Sequence, residues 1–137
     1  MYQNESYQWG RYAWYKFHKK ALEYPDNPCR CLMEKTAHFY KKDFLKLIHC
    51  PSCIEDYKLM IKKCPIRLGS KHELFEWTVD IHNMVNRKLG KEEICYSEAY
   101  RIWDDDFKNQ CCHCSSQNVR WILMCDSLIT TKSNRII

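Results

Sequence analysis

Glycine is scarce in this chain, with three residues in 137, and there are only four prolines. So few turn formers, spaced so widely, argue against many short strands and for long helices joined by short connections. Long apolar runs are missing too: the longest unbroken one is "WILMC" at 121–125, far short of the roughly 20 residues a membrane helix needs. The first twenty residues hold neither a basic start followed by an apolar run nor a small-residue cleavage site, which excludes the secretory pattern and leaves a soluble, cytosol-made protein as the expectation. Charge of one sign is not concentrated anywhere. Lys and Arg number 22 against 17 Asp and Glu, but the two kinds alternate, so no basic stripe tracks a phosphate backbone. Neither nucleic acid nor a membrane is an expected partner. There is no internal repeat and no low-complexity segment, and the length suits one core of ordinary size.

What the chain has in excess is cysteine. There are ten: Cys29, Cys31, Cys50, Cys53, Cys64, Cys95, Cys111, Cys112, Cys114 and Cys125. In a reducing compartment such a number calls for metal binding, redox catalysis or oxidation by the protein itself.

Five helices account for most of the sequence. The first spans about 6–23, aromatic-rich, with Trp14 and His18 one turn apart, and "YPDNP" ends it. A second is predicted over about 31–48, its apolar face supplied by Leu32, Phe39, Phe44, Leu45 and Ile48. Pro51 suits the first turn of a third helix, reaching about Lys63, which places Cys50 at its N-terminus and Cys53 one turn in. The fourth has Ser70 as N-cap, Glu73 three residues on and Gly90 as its stop, with Leu74, Trp77, Ile81, Val85 and Leu89 at spacings of three or four. A short fifth, about 96–108, carries Tyr100, Trp103 and Phe107, and "VRWILMCDSLI" offers one more helix before a frayed end. The fold class is all-α, a helical bundle.

The pair Cys50-Pro51-Ser52-Cys53 permits more than one chemistry. At a helix N-terminus the first sulfur faces unsatisfied N–H groups and the positive end of the dipole, which favour thiolate, and its partner at i+3 lies close enough to close a disulfide. The other reading is zinc, with Cys50 and Cys53 as one knuckle and Cys111, Cys112, His113 and Cys114 as the second. The gap between those knuckles is long and contains a well-formed helix, unlike a compact zinc fold. Taken singly, Trp14, Trp77 and Trp103 read as core residues, His18 and His82 as hydrogen-bonded histidines, and the lysines as solvated charges.

The stretch "WTVDIHNMVNRKLGK" (77–91), followed by Cys95 and Trp103, closely resembles the signature of the Erv/ALR family of FAD-linked sulfhydryl oxidases. "GRYAWYKFHKKALEYPDNP" (10–28) resembles the same family's first helix, and order and spacing agree across about 9–112. The resemblance implies a four-helix bundle around FAD with a short fifth helix, in a domain over 1–114, and a C-terminal tail over 115–137. It implies a thiol oxidase in which Cys50 is the accessible sulfur, Cys53 lies against the flavin, and electrons from a protein dithiol or a thioredoxin-like carrier reach O2 as hydrogen peroxide. Gly10, Arg11, Trp14 and His18 on the first helix, and His82, Asn83, Val85, Asn86, Lys88 and Lys91 on the fourth, match its FAD-binding positions, with Trp103 joining them. Aromatic surfaces suit the two ring systems, and Arg11, Lys88 and Lys91 offer charge-assisted bonds to phosphate.

Carried over in the same way, Cys95 and Cys112 match a structural disulfide, with Cys111 as the close alternative to Cys112, and Cys114 with Cys111 or Cys125 is the shuttle pair, ahead of Cys29 with Cys31. Cys64 is expected to be an unpaired buried thiol. The family implies a homodimer. The short approach to the first helix resembles the oxidases of large DNA viruses, so the cytoplasm of an infected cell or the virion is the expected location, with the mitochondrial intermembrane space as the alternative.

Overall fold

The structure, a computed structural model, describes residues 2–104, with side chains from residue 9 onward. Expectations that fall beyond 104 therefore lie outside the described residues: Cys111, Cys112, Cys114, Cys125, the end of the fifth helix and the further C-terminal helix.

Five helices follow in order, α1 (Tyr2–Leu22), α2 (Arg30–Lys41), α3 (Pro51–Lys63), α4 (Lys71–Lys88) and α5 (Tyr96–Trp103), with a 3₁₀ turn at Asp43–Leu47 and no strand among the described residues. This is the expected all-α fold. Each boundary has a local cause. Ser70 is extended and its side chain accepts from the Glu73 N–H at 3.2 Å, the first half of a capping box at the start of α4. Gly90, at φ 71°, is the one positive-φ residue among those described and ends the same helix in the left-handed region that a side chain disfavours. Pro51 stands at the first position of α3, where its missing N–H costs nothing.

Two boundaries differ from expectation. The first helix begins at Tyr2 instead of about residue 6. The second is not continuous to Ile48: Lys42 leaves helical geometry at φ −124°, ψ −57°, and the chain tightens into the 3₁₀ turn. Phe44 and Ile48 are both buried across that break, so the apolar spacing alone reads as one helix.

Helix α1 packs mainly on α4, and the core between them and their neighbours is aromatic. Phe17 is completely buried, with Phe44 at 4.7 Å, Tyr40 edge-on at 5.2 Å and Trp77 at 5.5 Å between ring centroids. Burying a side chain of this size contributes about 2–3 kcal/mol. The buried residues of α2 are Thr36 and the aromatic Tyr40, with Phe39 only half-buried. The phenol is satisfied in place: Tyr40 Oη donates to the Phe17 carbonyl at 2.7 Å, and Tyr57 Oη donates to the Tyr40 carbonyl at 2.7 Å. These two bonds join α3 to α2 and α2 to α1. Burial raises both phenol pKa values well above the usual range, so they stay protonated donors.

Candidate functional site

The sulfur pair sits where the sequence placed it. Cys50 caps α3 with extended backbone, φ −143° and ψ 109°, and its Sγ accepts from the Cys53 N–H at 3.3 Å. Cys50 and Cys53 are bonded to each other as a disulfide, their Cα atoms 5.2 Å apart. Both are half-buried, and the Ser52 hydroxyl lies 3.3 Å from Cys50 Sγ. Immediately before the pair, His49 is stacked under Trp9 at 5.4 Å and 16°. With the two sulfurs joined to each other, they do not form one knuckle of a zinc site.

Beside Cys53 is a cavity of about 460 Å³. Helix α1 gives it Gly10, Ala13 and Trp14; α3 gives Ser52, Cys53, Asp56, Tyr57 and Met60; α4 and its C-cap give Val85, Lys88 and Leu89; Phe44 and Ile48 close it. Its size falls within the range of small-molecule sites, roughly 300–1,000 Å³. The walls are chiefly apolar and aromatic. Its charged residues are the ion pair between Lys88 and Asp56, at which α4 and α3 meet.

Behind Trp14 the histidines form a stack. Trp14 and His82 lie face to face, 3.7 Å between centroids and 9° between planes, and His18 stacks on Trp103 at 4.6 Å. His18 Nε2 is 2.8 Å from His82 Nδ1, and His18 Nδ1 is 3.0 Å from Thr78 Oγ1. Both imidazoles are fully buried. Desolvation, with the His82 ring as a lesser cause, holds the His18 pKa well below the ordinary value, and desolvation brings His82 down to about 3. The pair is neutral at physiological pH.

The residues expected at a flavin are thus distributed in two layers. Gly10, Trp14, Val85 and Lys88 line the cavity with Cys53, whereas His18, His82 and Trp103 stand in the stack behind it. Asn86 is buried, and among the described residues its Nδ2 has no hydrogen-bond partner, a donor awaiting an acceptor. Asn83 is engaged otherwise: its Nδ2 donates to the Ile94 carbonyl at 2.7 Å and its Oδ1 accepts from the Ile94 N–H at 2.9 Å, clamping the segment after α4. Arg11 is exposed; Lys91 is half-buried, its N–H on the Asn86 carbonyl at 2.7 Å. A flat cavity wall at Trp14, the Lys88–Asp56 ion pair at its rim and the orphaned Asn86 donor fit a flavin dinucleotide. The close Trp14–His82 stack leaves no room for a ring between those two, so any ring must lie on the cavity side.

Sequence reasoning missed Phe44, Ile48, Asp56, Tyr57 and Met60 as cavity residues, and Thr78 as the end of the histidine chain. Asp56 and Tyr57 were findable, since they follow Cys53 by three and four residues and share its helix face. Thr78 and His18 are 60 residues apart, and nothing local signals their meeting.

The other cysteines divide by exposure. Cys29 and Cys31 are exposed, with Cys29 Sγ capping α2 by accepting from the Leu32 N–H at 3.4 Å. Cys95 is exposed, 3.2 Å from the Ser97 hydroxyl, and Cys112, its expected partner, lies outside the described residues. Cys64 is unpaired, as expected, but half-buried instead of buried; its position at the C-cap of α3 keeps it near the surface. No helix among the described residues is long and apolar enough to cross a membrane.

A family model described as Erv1 / Alr matches residues 11–121. A probable FAD-linked sulfhydryl oxidase of Acanthamoeba polyphaga mimivirus is 36% identical over 97 residues, covering 67% of this chain and 66% of that one. An FAD-linked sulfhydryl oxidase of Oryza sativa subsp. japonica is 35% identical over 82 residues, covering 60% and 42%. The match to these curated relatives thus spans two thirds of their length or less. Among solved structures, the FAD binding domain of Erv1 from Saccharomyces cerevisiae matches with a TM-score of 0.66 at 28% identity, over 72% of this chain and 92% of that one.

Proposed function

The chain belongs to the Erv1/Alr family, and on that premise we propose that it is an FAD-dependent thiol oxidase that forms disulfides in protein dithiols through Cys50 and Cys53. The observation that carries the reading is the disulfide at the N-terminus of α3 with its second sulfur, Cys53, in the wall of the aromatic cavity.

The chemistry on the protein side is thiol–disulfide exchange. A substrate thiolate attacks Cys50 Sγ, the sulfur outside the cavity, forming a mixed disulfide and releasing Cys53 as thiolate. The second substrate thiol, deprotonated, then attacks the substrate sulfur of that mixed disulfide and releases Cys50. The substrate leaves as a disulfide, and the pair is left as a dithiol holding two electrons. The N–H groups that open α3 stabilise each thiolate as it forms, and Cys53 N–H already donates to Cys50 Sγ. Bound FAD would supply the acceptor for that electron pair and pass it to O2 as hydrogen peroxide, restoring the disulfide. Trp14 and Tyr57 would shield the bound ring from water, Lys88, paired with Asp56, stands at the rim, and Asn86 would offer its unmet N–H.

The rest of the assignment follows the family. The proposed flavin-binding residues are Gly10, Arg11, Trp14, His18, His82, Asn83, Val85, Asn86, Lys88, Lys91 and Trp103. The proposed domain is 1–114, with 115–137 as a tail. Cys95 with Cys112 is the proposed structural disulfide, and the shuttle is Cys114 with Cys111 or Cys125. The active unit is a homodimer, its substrates are protein dithiols or a thioredoxin-like carrier, and it works in the cytoplasm of an infected cell or in the virion, or else in the mitochondrial intermembrane space. The test is a visible spectrum of the purified, dialysed protein under nitrogen. A flavin band that bleaches with dithiothreitol and returns in air is expected; a colourless protein would overturn the reading.

A further inference from the structure

Two donors converge on one sulfur. Cys50 Sγ is bonded to Cys53 Sγ and so carries no hydrogen, which fixes the direction of both polar contacts it makes. The Cys53 N–H donates to it at 3.3 Å, and in the second contact, also 3.3 Å, the Ser52 hydroxyl must be the donor. Ser52 stands at the second position of α3, is exposed, and has no other hydrogen bond among the described residues. A disulfide sulfur accepts weakly, so neither bond contributes much while the pair is oxidised. A thiolate accepts strongly, and a hydrogen bond to a charged atom is about twice as strong as one to a neutral atom. Both donors are thus aimed at a charge that the oxidised pair does not yet carry. The main-chain donor would be supplied by almost any residue at position 53; the hydroxyl is specific to Ser52.

We propose that Ser52 is a further catalytic residue, whose hydroxyl holds the Cys50 thiolate as the substrate disulfide departs and so sets how strongly the pair oxidises. This rests on the thiol-oxidase reading above and deepens it. In the first exchange the substrate sulfur bonds to Cys50 Sγ, the bond between Cys50 and Cys53 breaks, and the charge leaves on Cys53. In the second, the other substrate thiolate bonds to the first substrate sulfur and the bond from that sulfur to Cys50 breaks. The electron pair and the negative charge then arrive on Cys50 Sγ, where the Ser52 O–H already points. A better-stabilised thiolate is a better leaving group, so this step is the one the serine speeds. The substrate loses two electrons and the pair gains them, with no other oxidant involved. Because the bond is stronger to the reduced form than to the oxidised one, it also makes the disulfide easier to reduce.

Ser52→Ala removes the hydroxyl at an exposed helical position, and Ser52→Thr keeps it. Each variant is equilibrated under nitrogen with mixtures of reduced and oxidised dithiothreitol at about pH 8, where a helix-capping thiolate is populated. After acid quenching and alkylation, mass spectrometry of the peptide that carries both sulfurs gives the fraction still joined. The equilibrium constant for reducing the pair is expected to fall about fivefold in Ser52→Ala, which is about 20 mV for a two-electron couple, and to stay within about twofold in Ser52→Thr. Water reaches this exposed site and replaces part of the lost bond, which keeps the effect below that of a buried charged bond. A general loss of packing would not move the constant in Ala while sparing Thr. An unchanged constant in Ser52→Ala, a rise, or equal falls in the two variants would overturn the inference. The equilibrium is read on the sulfurs themselves and needs no flavin, so a colourless protein would sink the oxidase reading and leave the role of the hydroxyl to be judged by this measurement alone.

Discussion

The two chemically distinctive clusters of this bundle, the sulfur pair at the start of α3 and the histidine pair between α1 and α4, are held in opposite ways. Cys50 and Cys53 are half-buried, capped by one N–H and placed where charge can form and be solvated. His18 and His82 are fully enclosed, joined by directed hydrogen bonds and kept neutral by desolvation. Trp14 belongs to both, lining the cavity beside Cys53 and stacking on His82. On the proposed mechanism the first cluster changes its bonding during turnover and the second keeps it. A site that must exchange electrons with outside partners needs the first kind, and the wall that positions a ring needs the second.

The sharpest break in that contrast is Cys53→Ser. Because the residue is only half-buried, the fold should survive while dithiothreitol oxidation drops by about a thousandfold or more, measured as oxygen consumption. Retained turnover would remove Cys53 from the mechanism. The histidine cluster answers to pH instead. An unfolded histidine titrates near 6.5 whereas His82 does so at about 3, so between those values the unfolded chain binds more protons than the folded one. Stability from this source is complete above pH 6.5 and is lost as pH falls toward 3. Urea midpoints should decline across that window while the His82 ring stays neutral in the folded spectrum.

Smaller effects separate the two clusters from their frame. Tyr40→Phe removes the bond to the Phe17 carbonyl and should cost about 1 kcal/mol in urea unfolding, with little change at the sulfurs. Ser70→Ala removes the cap of α4 and should also cost about 1 kcal/mol or less, its N–H groups being open to water. A Ser70 variant that lost flavin as well as stability would show that the helix start and the histidine stack are coupled more tightly than their separation suggests.

These contrasts also explain what could be read in advance. Ser70 with Glu73, Gly90, Pro51 and the placement of Cys50 are local devices, each decided within a turn of chain, and each is found as expected. The break at Lys42 was hidden because Phe44 and Ile48 keep a helical spacing through the 3₁₀ turn. Tyr40 was overlooked in favour of Phe39 because a phenol is a poor core residue until something accepts its proton, and the acceptor, the Phe17 carbonyl, is 23 residues away. At the site, cysteine and tryptophan positions were legible from the family signature, whereas Thr78 and the Asp56–Lys88 pair depend on which helices meet.

The tyrosine bonds have a mechanical consequence. A phenol ring is a rod of fixed length, and two of them, each ending on a main-chain carbonyl, set the distance from α1 to α2 and from α2 to α3. They also stop the helices from slipping along their axes, since a shift of one residue would carry each hydroxyl past its carbonyl. Tyr57 is at once the second rod and a wall of the cavity. The gap beside Cys53 is therefore gauged by covalent geometry instead of soft packing, and it should hold its width when the sulfur bond at its edge is reduced.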